Sequence, residues 1–426
     1  MIVVNYKIFI GLTEIAGYYS NLKKGFQKIG VESSFINLSS HPFKYGGDDV
    51  PNIFVKLHKQ NNKKIRKYKS KIVKAPFYLL NIMLKIPIFI WAFHHHNVFI
   101  FGFSGSFFNY FDLPILKYFN KKIIFVFNGS DERPPYIDGA RHNLTISDYK
   151  RITSRMKSNI VCISKYADYI VGSTNSSHFH QKSIINFVAL GLPFNHPSDN
   201  NYVHGKTRRK GIRILHAPSD PIGKGSDRIR SSISELKRKE YDIEYIEITG
   251  RPHHEVIKEL QNCDFIVDQV YGGPMAGFAT EAAYFGKPNV AGGYYADYIH
   301  NDYFPEHIPP SLYCHPDNLT SAIERLIVDE EYRLELGKRA QEFVRTRWAP
   351  EQVARRYLQI IEGTIPEEYM FDPNTIRYVQ GYGMPESKSK EIIRNMIEQY
   401  GIESLCLSDK PELEQRFRDY AYDNLK

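Results

Sequence analysis

The chain has few cysteines, and none has a partner at a motif spacing. Cys162, Cys263, Cys314 and Cys406 are the only four in 426 residues. Their separation argues against a disulfide scaffold or a cysteine zinc site and suits a reducing compartment. No Gly-x-Ser-x-Gly, His-Glu-x-x-His or Walker A sequence occurs. That removes the nucleophile elbow, the helical zinc-protease site and the phosphate loop that those patterns build. There is no Asp-x-Asp, so no sequence feature calls for a metal bridging a nucleotide diphosphate. The histidine groups at 94–96, 178/180 and 253/254 have no acidic or cysteine partners at ligand spacing and are read as structural or surface residues. Zinc-finger, helix-turn-helix and RNA-binding signatures are missing, and no nucleic acid partner is expected. The opening Met1-Ile2-Val3-Val4-Asn5-Tyr6-Lys7 lacks the basic start and cleavage site of a secretory signal and is read as a β-strand.

The longest absence is of acid. Between Val50 and Phe111 there is no Asp or Glu, while Lys56, Lys59, Lys63, Lys64, Arg66, Lys67, Lys69, Lys71, Lys74 and Lys85 supply ten positive charges. The whole chain carries +9, so the remainder is close to neutral. A block of one sign marks an anionic partner, or else a solvated loop or helix face. Residues 75–93, APFYLLNIMLKIPIFIWAF, follow directly and form the longest apolar run. The run is just long enough to span a bilayer, but Lys85 and Pro87 sit in its middle. A charge there costs ~3 kcal/mol. An interfacial segment or a buried helix fits better than a span. The expected docking residues for an anionic membrane surface are Lys63, Lys64, Arg66, Lys67, Lys69, Lys71 and Trp91. The corresponding location is cytoplasmic, peripheral on the inner face of the cell membrane.

What remains is rich in apolar residues arranged as alternating strands and helices. An apolar β-rich run over 2–12 breaks at Gly17. A helical spacing of Tyr19, Leu22, Phe26 and Ile29 follows, and then a second strand over 31–37. Further strands are expected at 97–103, 122–127, 160–164 and 169–172. The polar stretch 195–211 reads as a linker. The second half repeats the theme, with strands at 212–217, 243–249 and 264–267 and helices at 227–239, 253–261, 279–285 and 318–328. This predicts an α/β chain of two Rossmann-like domains, 1–195 and 212–347, joined by a linker at 196–211. Ligands bind such sheets outside the carboxyl ends of the strands, so the site belongs in the cleft between the domains. Helices are also expected at 388–400 and 412–420, in a C-terminal extension read as an appendage packed on the body.

Three loops carry candidate chemistry. Gly272-Gly273-Pro274-Met275-Ala276-Gly277 runs into a helix carrying Glu281. Such a loop brings backbone amides close to a phosphate, and Glu281 can accept from ribose hydroxyls. It also serves as an ordinary turn with Glu281 complementing the helix dipole. His216-Ala217-Pro218-Ser219-Asp220-Pro221-Ile222-Gly223-Lys224 places a lysine where it can neutralise a diphosphate, or merely on a surface loop. Asn128-Gly129-Ser130-Asp131-Glu132-Arg133 ends a strand and suits hydroxyl binding or general base work, or plain turn formation.

The segments HAPSDPIGKGSDRI, ITGRPHHEVIKELQNCDFIVDQ and GGPMAGFATEAAYFGKPNV together resemble the carboxyl-terminal domain of GT-B glycosyltransferases. They are most similar to the retaining family that builds bacterial lipopolysaccharide, capsule and exopolysaccharide. The resemblance covers residues 1–361, with 348–363 as a helix returning to the first domain and 364–426 beyond it. It implies a nucleotide-diphosphate sugar co-substrate, a UDP-sugar being favoured, with no metal or other cofactor. It also implies a glycan or glycolipid acceptor. Lys224, Ser219 and Arg251 would face the diphosphate, with amides from Met275, Ala276 and Gly277, and Glu281 would hold the ribose. An early loop around Gly17 would complete the donor site. Two positions depart from the family pattern. The first of its paired glutamates falls at Gly273, and its histidine near the reaction centre falls at Asn128. Asp268 and Gln269 are candidate substitutes for that glutamate. Front-face attack is implied for a retaining enzyme, with Asn128, Asp131 and Lys224 as the catalytic set. Asp131 or Glu14 is the candidate base if the enzyme inverts. A nucleotide-sugar epimerase of the same fold and a membrane-surface scaffold are the alternatives.

Overall fold

A computed structural model describes residues 6–39, 52–103, 105–194 and 211–424. The expected start of the first strand at 2–5 and nearly all of the expected linker lie outside the described residues. The first domain contains β1 (Lys7–Leu12), α1 (Tyr18–Lys28), β2 (Glu32–Asn37), α2 (Ile53–Lys67), α3 (Lys71–His95), β3 (Val98–Gly102), α4 (Leu113–Tyr118), β4 (Lys122–Val126), α5 (Ile146–Tyr166), β5 (Tyr169–Gly172), β6 (Ile184–Asn186) and α6 (Phe187–Leu190). The second contains β7 (Ile212–His216), α7 (Pro221–Lys224), α8 (Ser226–Arg238), β8 (Ile243–Glu247), α9 (His253–Asn262), β9 (Phe265–Gln269), α10 (Gly277–Tyr284), β10 (Asn289–Gly292), α11 (Ile299–Asp302), β11 (Leu312–Cys314), α12 (Leu319–Val328) and α13 (Glu330–Thr346). The chain ends with α14 (Pro350–Glu362), β12 (Met370–Phe371), α15 (Glu386–Tyr400) and α16 (Pro411–Ala421).

Two sheets result, in the orders β12-β6-β5-β4-β3-β1-β2 and β11-β10-β9-β7-β8. Every strand pairing is parallel except that of β12 with β6. Central strands such as β3 (VFIFG) and β9 (FIVDQ) are buried along their whole length. Helices on both faces require that, and it explains runs of continuous rather than alternating hydrophobicity.

The strand expected at 160–164 is instead the last part of α5. Tyr149, Thr153, Met156, Ile160 and Ile163 are buried at helical spacing, and Thr145 caps the start by accepting from the Asp148 amide at 3.2 Å. A five-residue apolar window cannot separate a strand from one face of a long helix. α14 packs on α1 of the first domain: the Tyr18 and Tyr357 hydroxyls meet at 2.9 Å and Lys28 pairs with Glu351 at 3.1 Å. The extension adds β12 to the first sheet and packs α15 against α5.

The acid-free block forms a helical hairpin. Asn61 on α2 donates to the Phe77 carbonyl and to Asn81 Oδ1, both at 2.7 Å, and Asn81 donates to Asn62. Asn81, Leu84, Ile88 and Ala92 are the buried stripe of α3. Its opposite side is apolar and open: Leu79, Ile82, Met83, Ile86 and Ile90 are 46–61% exposed. α3 is the one helix among the described residues long and apolar enough to cross a membrane. Lys63, Lys64, Arg66, Lys67, Lys69 and Lys71 are exposed, whereas Trp91 is half-buried with its ring stacked on His95.

Candidate functional site

A cavity of about 590 Å³ lies between the domains, at the carboxyl ends of both sheets. That volume suits a small-molecule ligand. From the second domain it is lined by Ser219, Lys224, Arg251, His253, Asp268, Met275, Ala276, Gly277 and Glu281, among others. Lys224 closes the turn α7. Its Nζ donates to Asp268 Oδ1 and to Gln269 Oε1, each at 3.0 Å. The two residues considered as glutamate substitutes are therefore the lysine's anchors. An ammonium has three N–H bonds, so one remains for a ligand. The first amides of a helix have no intrahelical partner, and α10 begins at Gly277 with no side-chain cap, at residues that line the cavity. Glu281, one turn on, accepts from His253 Nε2 at 2.7 Å. That contact raises the His253 pKa above its usual value against the opposing effect of burial. Arg251 stands exposed at the rim, paired with Glu255 at 3.1 Å.

The first domain supplies Ile15, Ala16, Tyr18, Asn128, Gly129, Arg133 and Asn175 to the lining. Gly17 starts α1 in the left-handed conformation, φ 82°, which a side chain would strain. It shapes the loop without lining the cavity. Asn128 Oδ1 accepts from the Tyr19 hydroxyl at 2.8 Å. A Cβ on Gly102 would lie 1.6 Å from that hydroxyl, so the glycine is what lets Tyr19 cross to Asn128. Asp131 is not part of the cavity wall. It is buried and accepts from the Asn128 amide at 2.9 Å, which holds the loop rather than a substrate. Glu14 is likewise spent on structure, accepting from the Tyr19 and Ser20 amides at the start of α1. Neither expected base reaches the cavity. Its only lining carboxylates among the described residues are Asp268 and Glu281, both already paired. Among the described residues, no group of three His, Cys, Asp or Glu side chains gathers to hold a metal ion.

No family model matches the chain. No curated protein matches it either. Solved structures do. Sucrose-phosphate synthase from Thermosynechococcus elongatus superposes with TM-score 0.51 at 14% identity, covering 84% of this chain and 98% of that one. The Anabaena protein HepE, solved with UDP-glucose, gives TM-score 0.47 at 12% identity over 84% of this chain and 99% of that one. The fold is GT-B.

Within this GT-B frame three contributors to the wall lie outside the sequence-based reading. Spacing alone reads His253 and His254 as structural or surface residues, although a histidine one strand away from a site carboxylate is a usable signal. Asn175 sits after β5, at the carboxyl edge where site residues collect, as does Arg133 of the expected loop after β4. Tyr382 comes from the C-terminal extension, and no motif announces it.

Asp131 and Glu132 have a measurable consequence of their own. Burial pushes Asp131 up to about 7 and Glu132 up to about 8. Glu132 ties β4 to β5 by accepting from the Ser173 amide at 2.8 Å and meeting His180 Nε2 at 3.0 Å. Above about pH 5 the unfolded chain has released the two protons that the folded chain keeps here, so the contribution of this pair to stability falls as pH rises. His58, His96, His178, His180, His216 and His307, held neutral by burial, act in the opposite direction until they are neutral in both states, so the melting temperature is expected to drop above about pH 7. Glu132→Gln, which mimics the neutral acid, should flatten part of the drop. A parallel decline in both proteins would assign the effect elsewhere.

Proposed function

We propose that the protein transfers a sugar from a nucleotide-sugar donor to a hydroxyl of a glycan acceptor. The observation that carries this reading is the convergence in one interdomain cavity of Lys224, the open amides of α10 and Glu281. The glutamate accepts from ribose hydroxyls through the oxygen that His253 leaves open. The amides and the third Lys224 N–H take the diphosphate, whose charge grows as the C1–O bond breaks. The acceptor oxygen attacks C1, and its proton passes to the departing phosphate oxygen. Among the described residues both lining carboxylates are engaged, which favours front-face attack with retention. A UDP-sugar is the donor to try first.

The acceptor in this reading is lipid-linked, as in bacterial surface polysaccharide assembly. The α2–α3 hairpin docks the first domain on the cytoplasmic leaflet. Its acid-free basic surface and the open apolar side of α3 support that location. The buried stripe of α3 and its amide contacts with α2 favour lying on the leaflet over crossing it.

The test is turnover of a nucleotide-sugar panel with and without membrane extract. Transfer that requires the extract supports the reading. A sugar converted without acceptor points to an epimerase, and no consumption at all to a scaffold. Glu281→Ala should lower kcat/KM for the donor by an amount equivalent to ~1.5–3 kcal/mol, the worth of hydrogen bonds to a charged group. Wild-type kinetics in that folded variant would remove the ribose role.

A further inference from the structure

The cavity wall is built partly by the C-terminal extension, which contributes Tyr382. Residues 382 and 383 bridge the two domains. The Tyr382 amide donates to the Ile137 carbonyl at 2.8 Å and its carbonyl accepts from the Gly139 amide at 2.8 Å, both in the first domain. The next amide, of Gly383, donates to the Tyr271 carbonyl at 2.6 Å in the second. These three backbone bonds carry the Tyr382 side chain into the cavity wall. Its ring lies 3.5 Å from the Arg133 guanidinium carbon. Arg133 is buried and fixed, with Nε donating to Ser176 and Nη1 to Asp138, each at 3.1 Å. Beside them is Asn175, only 2% exposed and also in the wall, whose Nδ2 has no hydrogen-bond partner. A buried unpaired amide donor costs free energy unless a ligand or water completes it.

Gly273 explains how this group fits. A Cβ there would stand 2.9 Å from both Asn175 Nδ2 and Tyr382 Cε2. The position where the related family places its first glutamate is thus already occupied from the other side.

We propose that Tyr382, Arg133 and Asn175 form the subsite that recognises hydroxyl oxygens of the transferred sugar, with the C-terminal extension as an integral part of the donor site. This rests on the nucleotide-sugar reading above. The three side chains present an amide N–H, a guanidinium and a phenol, and Asp138, which pairs with Arg133 at 3.1 Å and with Arg141 at 3.4 Å, offsets part of the guanidinium charge. Such a set asks for oxygen acceptors, so the substrate class is a hexose with its hydroxyls intact. A site built to hydrogen-bond a hydroxyl discriminates against the analogue that lacks it.

Calorimetry with UDP, GDP, ADP and dTDP first identifies the nucleotide. Transfer is then measured with the hexose donor of that nucleotide and with its 3-, 4- and 6-deoxy analogues. Wild type should favour the full hexose by about tenfold or more over at least one deoxy donor. Tyr382→Phe and Asn175→Ala should shrink that ratio toward one while leaving the affinity for the free nucleotide within about twofold. Gly273→Ala, which fills the subsite without removing any of its members, should lower kcat/KM for the hexose donor and likewise spare nucleotide binding. If no nucleotide binds wild type, the donor reading fails and takes this subsite with it. If the nucleotide binds but the folded variants keep wild-type discrimination, the subsite alone is overturned.

Discussion

Lys224→Ala is expected to reduce turnover at saturating donor by ~10²–10³-fold, the usual effect of removing one preorganised group that stabilises developing charge. The lysine is held at 3.0 Å by Asp268 and at 3.0 Å by Gln269, and its side chain is only 21% exposed. It is therefore aimed before donor arrives. Charge on the diphosphate is greater in the transition state than in the ground state, so the loss should appear in kcat more than in KM. The substitution also strands Asp268, which is 2% exposed, and an uncompensated buried charge destabilises the fold. The double variant Lys224→Ala, Asp268→Asn separates the two effects. It should recover much of the melting temperature and none of the turnover. If kcat of the single variant is unchanged, Lys224 serves only to neutralise Asp268.

The longer strands were legible because a parallel strand buried on both faces writes itself as a short apolar run ending in a small-residue turn, whereas β6, β10, β11 and β12, of two to four residues, are too short to do so. β1, β4, β7 and β9 all do so. The second domain's cavity-lining residues were legible for a related reason. Lys224 and Glu281 lie in, or one turn beyond, short segments that reach the cavity wall, so sequence neighbours remain neighbours in space. The first domain's contribution is different in kind. Asp131 looks like a base in sequence, yet it turns inward because its carboxylate is needed by the Asn128 amide three residues back. Arg133 lies buried in the cavity wall with its guanidinium fixed by Ser176 and Asp138, and neither contact leaves a spacing signature.

Tyr382 marks the limit of such reading. Its place depends on three backbone hydrogen bonds to Ile137, Gly139 and Tyr271, made across two domains by a segment with no motif. The extension was expected as an appendage on the main body, and most of it is one. Its α16 packs Phe417 against Tyr136 at 5.3 Å, which anchors the segment that reaches the cleft. Packing on the body and a part of the cavity wall are thus joined through one strap.

Changing Lys63, Lys64, Arg66, Lys67, Lys69 and Lys71 to Gln is expected to release the protein from anionic vesicles. Each basic residue close to an anionic leaflet contributes ~1 kcal/mol, screened over ~8 Å at physiological salt. Six together correspond to ~10³-fold or more in partitioning even after screening. All six are exposed, on α2, in the turn after it and at the first residue of α3, and no carboxylate lies between Val50 and Phe111 in the sequence to oppose them. The apolar component comes from Leu79, Met83, Ile86 and Ile90 on the open side of α3, with Trp91 contributing less because it is half-buried. High salt should therefore weaken wild-type binding without abolishing it, while Leu79→Ser, Met83→Ser and Ile86→Ser together should make binding fully salt-sensitive. Transfer to a short soluble acceptor should survive both sets of changes, since none of these residues lines the interdomain cavity. Vesicle sedimentation decides the matter. A six-glutamine variant that pellets as wild type does would show that the basic surface is not the anchor. Wild type that never pellets would remove the membrane from the proposal. Release by detergent alone would mean that α3 enters the bilayer beyond its interface.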